Sequence, residues 1–347
     1  MKLKFSQRTE IKFVLNGFVF FMIMLCCRPC VPDCFAEEKV YKIATVAWIG
    51  WSPLHVCQEK GFWREQNVSV EVLNYDDPII ILEAIKAGRI DFAMDMAGSL
   101  AGIYMNGTPV VALAETDWSH GGDKIIIKRG QTLRQHVGKP LGVFLDLPSC
   151  HFFLGSYLKT RNLKLSDFRI VELGPDDMTQ QFIANRLPVI VNYDPWALQA
   201  IDAGDGVVLA DSSDYEGCIP ECFWGYRTHV RNVPDEDIKK ILRGWIKAVR
   251  WVHDPKHWEA YKGILNKRTF AGHRPYSDAA LKQIFASVKI HNPKVLLQRN
   301  RDHGGFHQYL EKLRIFLKEN GLLKKDFSPE DIFDNRYIMA VLQEPPQ

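Results

Sequence analysis

The amino-acid sequence predicts an α/β fold, and three observations carry that prediction. A unit of apolar strand-length run, turn and helix start recurs from residue 41 to residue 202. Ser-Pro or Asp-Pro steps stand at several helix starts, where a missing N–H does no harm. Beyond Pro234 the pattern turns helical, with no Pro/Gly linker to set the tail apart. At 347 residues, 46% hydrophobic and 24% charged, the chain is long enough to bury two cores.

The elements follow in order. YKIATVAW (41–48) reads as a strand leading to Ser52-Pro53, an N-cap with proline at the first helical position. VSVEVLNY (68–75) is a second strand. RIDFAMD (89–95) runs into the helix MAGSLAGIYMNG, which Gly107 ends. PVVALAE (109–115) and KIIIK (124–128) are β-rich, and PLGVFLD (140–146) leads through Pro148 and Ser149 into CHFFLGSYLKTRN. FRIVEL (168–173) and PVIVNYD (188–194) follow, the latter entering WALQAID through Asp194-Pro195. In the tail, Ile238, Ile241, Leu242, Trp245 and Val249 recur at helical spacing. Further helices are expected around 277–288, 305–319 and 328–342.

Residues 1–36 stand outside this pattern. A basic start (Lys2, Lys4, Arg8, Lys12), an apolar run from Phe13 to Cys27 and the small residues Cys34 and Ala36 read as a signal peptide. The mature chain then begins at Glu37 in the periplasm; a lipid-anchored form at Cys26 or Cys27 is the weaker alternative. This leader holds five of the 44 Lys/Arg and two of the 41 Asp/Glu, so the remainder is 39 against 39. Nothing basic remains to suggest nucleic acid. Four cysteines lie beyond the leader: Cys57, Cys150, Cys218 and Cys222. Export permits a disulfide in CIPEC (218–222), and two unlinked buried thiols fit equally.

In an open α/β sheet, ligands bind at the carboxyl ends of the strands. Here those ends carry Trp48 and Trp51; Asp95 and Ser99; Asp117, Ser119 and Asp123; Asp146, Pro148 and Ser149; Tyr193, Asp194 and Trp196. Trp224 joins the candidate ligand set. Taken singly, Ser52, Ser149 and Asp194 are explained by capping and the tryptophans by a core; together they suit a polar solute. The aspartates and indoles favour a cationic or neutral nitrogen compound, whereas helix starts at Ser52 and Ser149 favour an anion. Nucleophilic catalysis is poorly served, because Cys150 and His151 are helix neighbours that face apart, and neither a G-x-S-x-G elbow nor a P-loop occurs. His303 and His307 in HGGFH lack a third metal ligand and read as surface residues.

WIGWSPL with EKGFW, then ILEAIKAGRIDFAM, DWSHGGDKIIIK, GVFLDLPSCHFFLGSYL and QFIANRLPVIVNYDPW resemble the substrate-binding proteins of ABC importers, of the nitrate, sulfonate, taurine and thiamine-pyrimidine type. The departures are NRLPVIV and the CIPEC insert. The resemblance implies a type II periplasmic-binding-protein fold, each lobe a mostly parallel sheet flanked by helices, with the helical tail packed on the first lobe. It places residues 40–126 and 228–347 in one lobe and 127–227 in the other, with crossings near IIIKRG and GYRTHV. It implies a monomer without cofactor, a small-molecule ligand in the interlobe cleft, and an ABC permease and ATPase as partners. The alternatives are a thiamine-pyrimidine-synthase-like or menaquinone-pathway-like enzyme on the same fold, or the ligand-sensing module of a receptor.

Overall fold

Eleven strands form two sheets among the described residues of the computed structural model, which are 39–76, 78–144 and 148–345. The leader, its cysteines, the expected start at Glu37 and the candidate Asp146 lie outside the described residues. The first sheet contains β1 (Val40–Thr45), β2 (Ser69–Asn74), β3 (Phe92–Met96), β4 (Val110–Ser119), β10 (Pro220–Tyr226) and β11 (Val288–Ile290), in the order β11-β4-β10-β3-β1-β2. The second contains β5 (Asp123–Lys128), β6 (Pro140–Phe144), β7 (Arg169–Leu173), β8 (Val189–Tyr193) and β9 (Gly206–Asp211), in the order β7-β6-β8-β5-β9.

Four strands of each sheet run the same way, and the strand bringing the chain in from the other sheet runs against them. The cause is connection length. Only His120–Gly122 separate β4 from β5, far short of the dozen or so residues that a parallel crossover needs, so β5 starts at the edge where β4 stops. The return path leaves β9 at Asp211 and enters β10 at Pro220.

These crossings correct the expected ones. KIIIK pairs wholly within the second sheet, not up to the hinge at 126, and the FWGY segment of β10 pairs with β3 and β4 of the first. Neither strand follows an α-helix, since each enters from the other sheet through a short crossing, so the strand–helix rhythm does not reveal which sheet takes it. Strand β11, with three residues, is also too short to show in the sequence.

The α-helices of seven or more residues are α1 (Pro53–Lys60), α2 (Pro78–Lys86), α3 (Ala97–Met105), α4 (Pro148–Lys159), α5 (Pro175–Ile183), α6 (Trp196–Gly204), α7 (Asp235–His253), α8 (Trp258–Ile264), α9 (Asp278–Ala286), α10 (Pro293–Asn300), α11 (Gly305–Glu319) and α12 (Arg336–Leu342), and single turns lie at Phe62–Glu65, Arg227–Val230 and Pro329–Ile332. Alternation along the strands sends side chains to opposite faces of the first sheet. Phe92, Met94, Val111, Leu113 and Phe223 pack in one core with α1 and α7, while Ala93, Val110, Ala112, Cys222 and Trp224 pack in another with α2, α3 and α11. Ile238, Ile241, Leu242, Trp245 and Val249 are all buried, and each such side chain contributes roughly 1.5–3 kcal/mol. The tail is tied back by Glu115 of β4, which is fully buried and accepts from Arg299 Nε at 2.8 Å and lies 2.8 Å from His291 Nε2.

The capping expectations divide. Ser328 closes a capping box with Asp331, whose carboxylate accepts from the Ser328 amide at 2.8 Å. Ser52 precedes Pro53 as expected, but its hydroxyl donates to Ile49 O at 2.5 Å and lies 2.5 Å from the Tyr261 hydroxyl. Asp194 caps nothing; its carboxylate accepts from Lys124 Nζ at 2.6 Å.

The disulfide is absent, because Cys218 and Cys222 serve different cores. Cys218 packs with the second sheet, while Cys222 lies on β10 opposite Asp95 and Glu115 in the first. Thiol titration of the purified chain should accordingly leave Cys57, Cys150, Cys218 and Cys222 unreacted until denaturant is added, and reductant should leave the melting temperature unchanged. A Cys218–Cys222 cross-link found by peptide mapping would contradict the packing.

Candidate functional site

A cavity of about 420 Å³ lies where the facing edges of the two sheets meet. The first sheet supplies Trp48 and Trp51 from the single turn after β1, Met94 and Asp95 from the end of β3, Ser99 from the first turn of α3 and Glu221 from the start of β10. The second supplies Asp123 at the start of β5, Phe144 at the end of β6, Glu172 on β7 and Tyr193 at the end of β8. The short crossings make this composite wall: strands ending at the edge and strands beginning there expose their terminal side chains to one space.

Trp48 and Trp51 are 6% and 5% exposed, so the turn leaves neither ring in water. Both also pack in the first core, and the Trp48 ring meets Tyr193 of the second sheet edge-on at 6.4 Å between centroids. Gly50 is required between them, because a Cβ there would overlap Asp117 Oδ1 and Trp48 Nε1. The halves touch again where the Gly98 amide donates to Ser149 Oγ at 3.0 Å, and a Cβ on Gly98 would overlap that oxygen and the Ser149 amide.

Of the sequence candidates, Trp48, Trp51, Asp95, Ser99, Asp123 and Tyr193 line the cavity and five others do not. Trp224 is 1% exposed in the core around α3, on a strand position that faces away from the edge. Ser119 bonds the Ser212 hydroxyl at 2.7 Å and accepts from the Asp123 amide at 3.1 Å, which braces the two crossings. Ser149 is taken by Gly98 and, at 3.2 Å, by the Tyr309 hydroxyl. Asp194 is paired to Lys124, and Asp117 lies behind the wall, accepting from Thr116 Oγ1 at 2.8 Å. Sequence reading missed Glu221. Its one signal was an acid between the apolar residues of CIPECFW, a run of strand length.

The electrostatics are one-sided. Asp95, Asp123, Glu172 and Glu221 line the cavity, and no Lys or Arg does so among the described residues. Burial pushes the Asp95 carboxyl up to about 6 against the opposing hydrogen bond from the Met96 amide, at 2.7 Å. Burial likewise lifts Asp123 to about 6, with the Ser119 hydroxyl and Lys124 opposing. Asp117 also rises to about 6 by burial, and Glu221 is raised further by burial and by the Asp117 carboxylate beside it. Of the two, Glu221 is thus the harder to ionise. Trp51 Nε1 is buried at the wall with no hydrogen-bond partner, while the Glu221 carboxyl shares a hydrogen bond with Asp117. Cys150 is no nucleophile, since it is buried in the second core and its thiol is pushed well up by desolvation. His307 hydrogen-bonds Glu330 at 2.8 Å, away from the cavity.

A cavity at the facing edges of two helix-flanked sheets defines the class: this is the fold of periplasmic solute-binding proteins. The alkanesulfonate-binding protein SsuA of Xanthomonas axonopodis pv. citri, bound to MOPS, superposes with a TM-score of 0.67 at 15% identity, over 86% of this chain and 99% of that one. The periplasmic nitrate-binding protein NrtA of Synechocystis PCC 6803 gives 0.67 at 17% identity, over 88% of this chain and 89% of that one. A Brucella abortus (strain 2308) protein, whose name marks it as a candidate binding protein, is 23% identical over 197 residues, 56% of this chain and 60% of that relative. The chain thus spans 60% of the length of the curated relatives it matches. The NMT1-like family matches residues 36–266, and the chain belongs to that family.

The raised carboxyls make a pH prediction. Folding lifts Asp95 from the ordinary 3.8 to about 6, so the folded state keeps a proton that the unfolded chain has lost. Its share of stability is smallest above pH 7 and grows as pH falls towards 4. Between pH 7 and pH 5 this amounts to about 1 kcal/mol. Urea unfolding at both pH values should show a larger gain on acidification for the wild type than for Asp95→Asn. Equal gains would place Asp95 in water.

Proposed function

We propose that this chain is the extracytoplasmic solute-binding component of an ABC importer. It captures a small polar organic nutrient, containing nitrogen or sulfur, in the cavity between the two sheets. It delivers that solute, as a monomer in the periplasm, to a permease and its ATPase. The first 36 residues serve as the export signal and are absent from the working protein. One lobe is residues 40–119 with 220–345, and the other is residues 123–211.

The observation that carries this reading is the composite wall. Side chains from both sheets line one cavity of about 420 Å³, and at that wall Trp51 Nε1 is buried without a protein partner. Buried polar groups are nearly always satisfied, so a wall of this kind calls for a ligand that supplies the missing bond. Trp48, Trp51, Asp95, Ser99, Asp123, Tyr193 and Glu221 are the proposed contacts. The protein holds its ligand without converting it.

The test is a thermal-shift screen of the mature chain against nitrogen- and sulfur-containing nutrients. A solute at about a hundred times its Kd adds ~2.7 kcal/mol of stability. The bound solute should be recovered chemically unchanged, and conversion would make the protein an enzyme. Closure is tested by Gly98→Ala, whose methyl has no room against Ser149. The variant should melt lower, because the methyl meets Ser149 in the ligand-free structure, and should also lose about tenfold or more in affinity. Unchanged affinity would mean that the Gly98–Ser149 contact plays no part in holding solute.

A further inference from the structure

The importer reading leaves open the charge of the solute, and the cavity wall is informative on that point. We infer that this cavity selects a compact organic cation, an ammonium or amidinium on a largely apolar body, and that Glu221 sets the selection. The inference rests on the proposed function above, whose cavity it uses.

The wall combines carboxylates with rings. Asp95 and Asp123 approach from different sheets, and the cavity has Trp51 and Tyr193 among its apolar surfaces. A cation between them gains ion pairing and aromatic contact in a space with little water, where both are stronger than at a surface. An anion finds the reverse. The nearest candidate counter-ion at the crossing, Lys124, is engaged by Asp194 at 2.6 Å and by the Gly121 carbonyl at 2.5 Å. The sulfonate and nitrate named for two proteins of this fold would therefore meet like charge here.

Glu221 is the residue with something to gain. It is 3% exposed, lines the cavity, and its carboxyl shares a hydrogen bond with Asp117. The charged groups acting on it are Asp117 on β4, Asp95 on β3 and Asp123 on β5, all acidic, so its proton stays on in their company. A cation entering the cavity offsets those charges and lets the Glu221 carboxyl ionise against it. Glu221 thereby turns from a neutral donor into a counter-ion only when a positive group is present. The unpartnered Trp51 N–H adds one requirement, an acceptor atom on the ligand body.

The experiment compares charge on matched skeletons. Benzyl, cyclohexylmethyl and pyridylmethyl compounds are each tested as the amine, the alcohol and the sulfonate, with nitrate added, by calorimetric titration of the mature protein at pH 7.5. The amines should bind about tenfold or more tightly than the alcohols, the sulfonates and nitrate should not bind, and the pyridylmethyl amine should lead the amines. Glu221→Gln keeps the shape and hydrogen-bonding capacity but cannot ionise, so it should weaken the amines about 10- to 100-fold while shifting the alcohols less than about threefold. The melting temperature of Glu221→Gln is read alongside its affinities, and Asp95→Asn supplies a second variant with the same expected bias. Preferential binding of sulfonates or nitrate, or parity between amines and alcohols, overturns the cation inference and leaves the binding-protein reading standing. If no compound here and none of the wider nutrient screen binds, both fall together. Equal losses for amines and alcohols in Glu221→Gln would reduce Glu221 to a packing residue.

Discussion

The three residues between β4 and β5 constrain everything around them. A chain that must change sheets in so short a span cannot travel to the far end of the new sheet, so both sheets present their edges to one another. The return through residues 212–219 closes the same edge from the other side. Ser119 and Ser212 hold the two crossings together through their hydroxyls, 2.7 Å apart. From that pinning follow the antiparallel entry of β5 and β10, the meeting of Trp48 with Tyr193, and the placement of Asp123 and Glu221 as first and second residues of their strands.

The edge gathers acids that the fold alone does not need. Asp117, Asp123 and Glu221 are buried and Asp95 is half-buried, without a cation among them apart from the Lys124 that sits beside Asp123 and is bound to Asp194. Glu115, in contrast, is buried with Arg299 and His291 as partners. The contrast is between a buried acid met by basic partners and a group of acids, spread over four strands, that is not. The second arrangement weighs against folding, because each desolvated charge disfavours the folded state.

Much of this was legible in the sequence, and the failures have causes. Most strands of the two sheets, and helices such as α7, announced themselves through period and punctuation; Ile238, Ile241, Leu242, Trp245 and Val249 all turned inward. Strand ends led to Trp48, Trp51, Asp95, Ser99 and Tyr193 because the edge rule applies wherever a strand runs toward the cleft, and Asp123 was reached from the end of β4 across the three residues after Ser119. It fails for β10, which starts at the cleft and runs away from it. Glu221 was therefore missed at the strand's beginning, while Trp224, three residues further on, was chosen though it points into the core. Ser119, Ser149 and Asp194 were right in place and wrong in direction, since a hydroxyl or carboxylate at an edge can bond across the halves as readily as toward a solute. The close pair Cys218 and Cys222 misled for a related reason: chain proximity says nothing about which core a side chain enters.

Gly98 makes a point about what a missing side chain records. Its bare α-carbon lies against the Ser149 backbone, and the amide-to-hydroxyl bond fixes how near the halves approach. The position is thus a ruler written in one letter. A related sequence with any larger residue there must hold its halves farther apart or have moved the residue opposite, and so encloses a different volume. Reading that letter beside the one at position 149 would sort relatives by the size of solute they admit before any of their structures is determined.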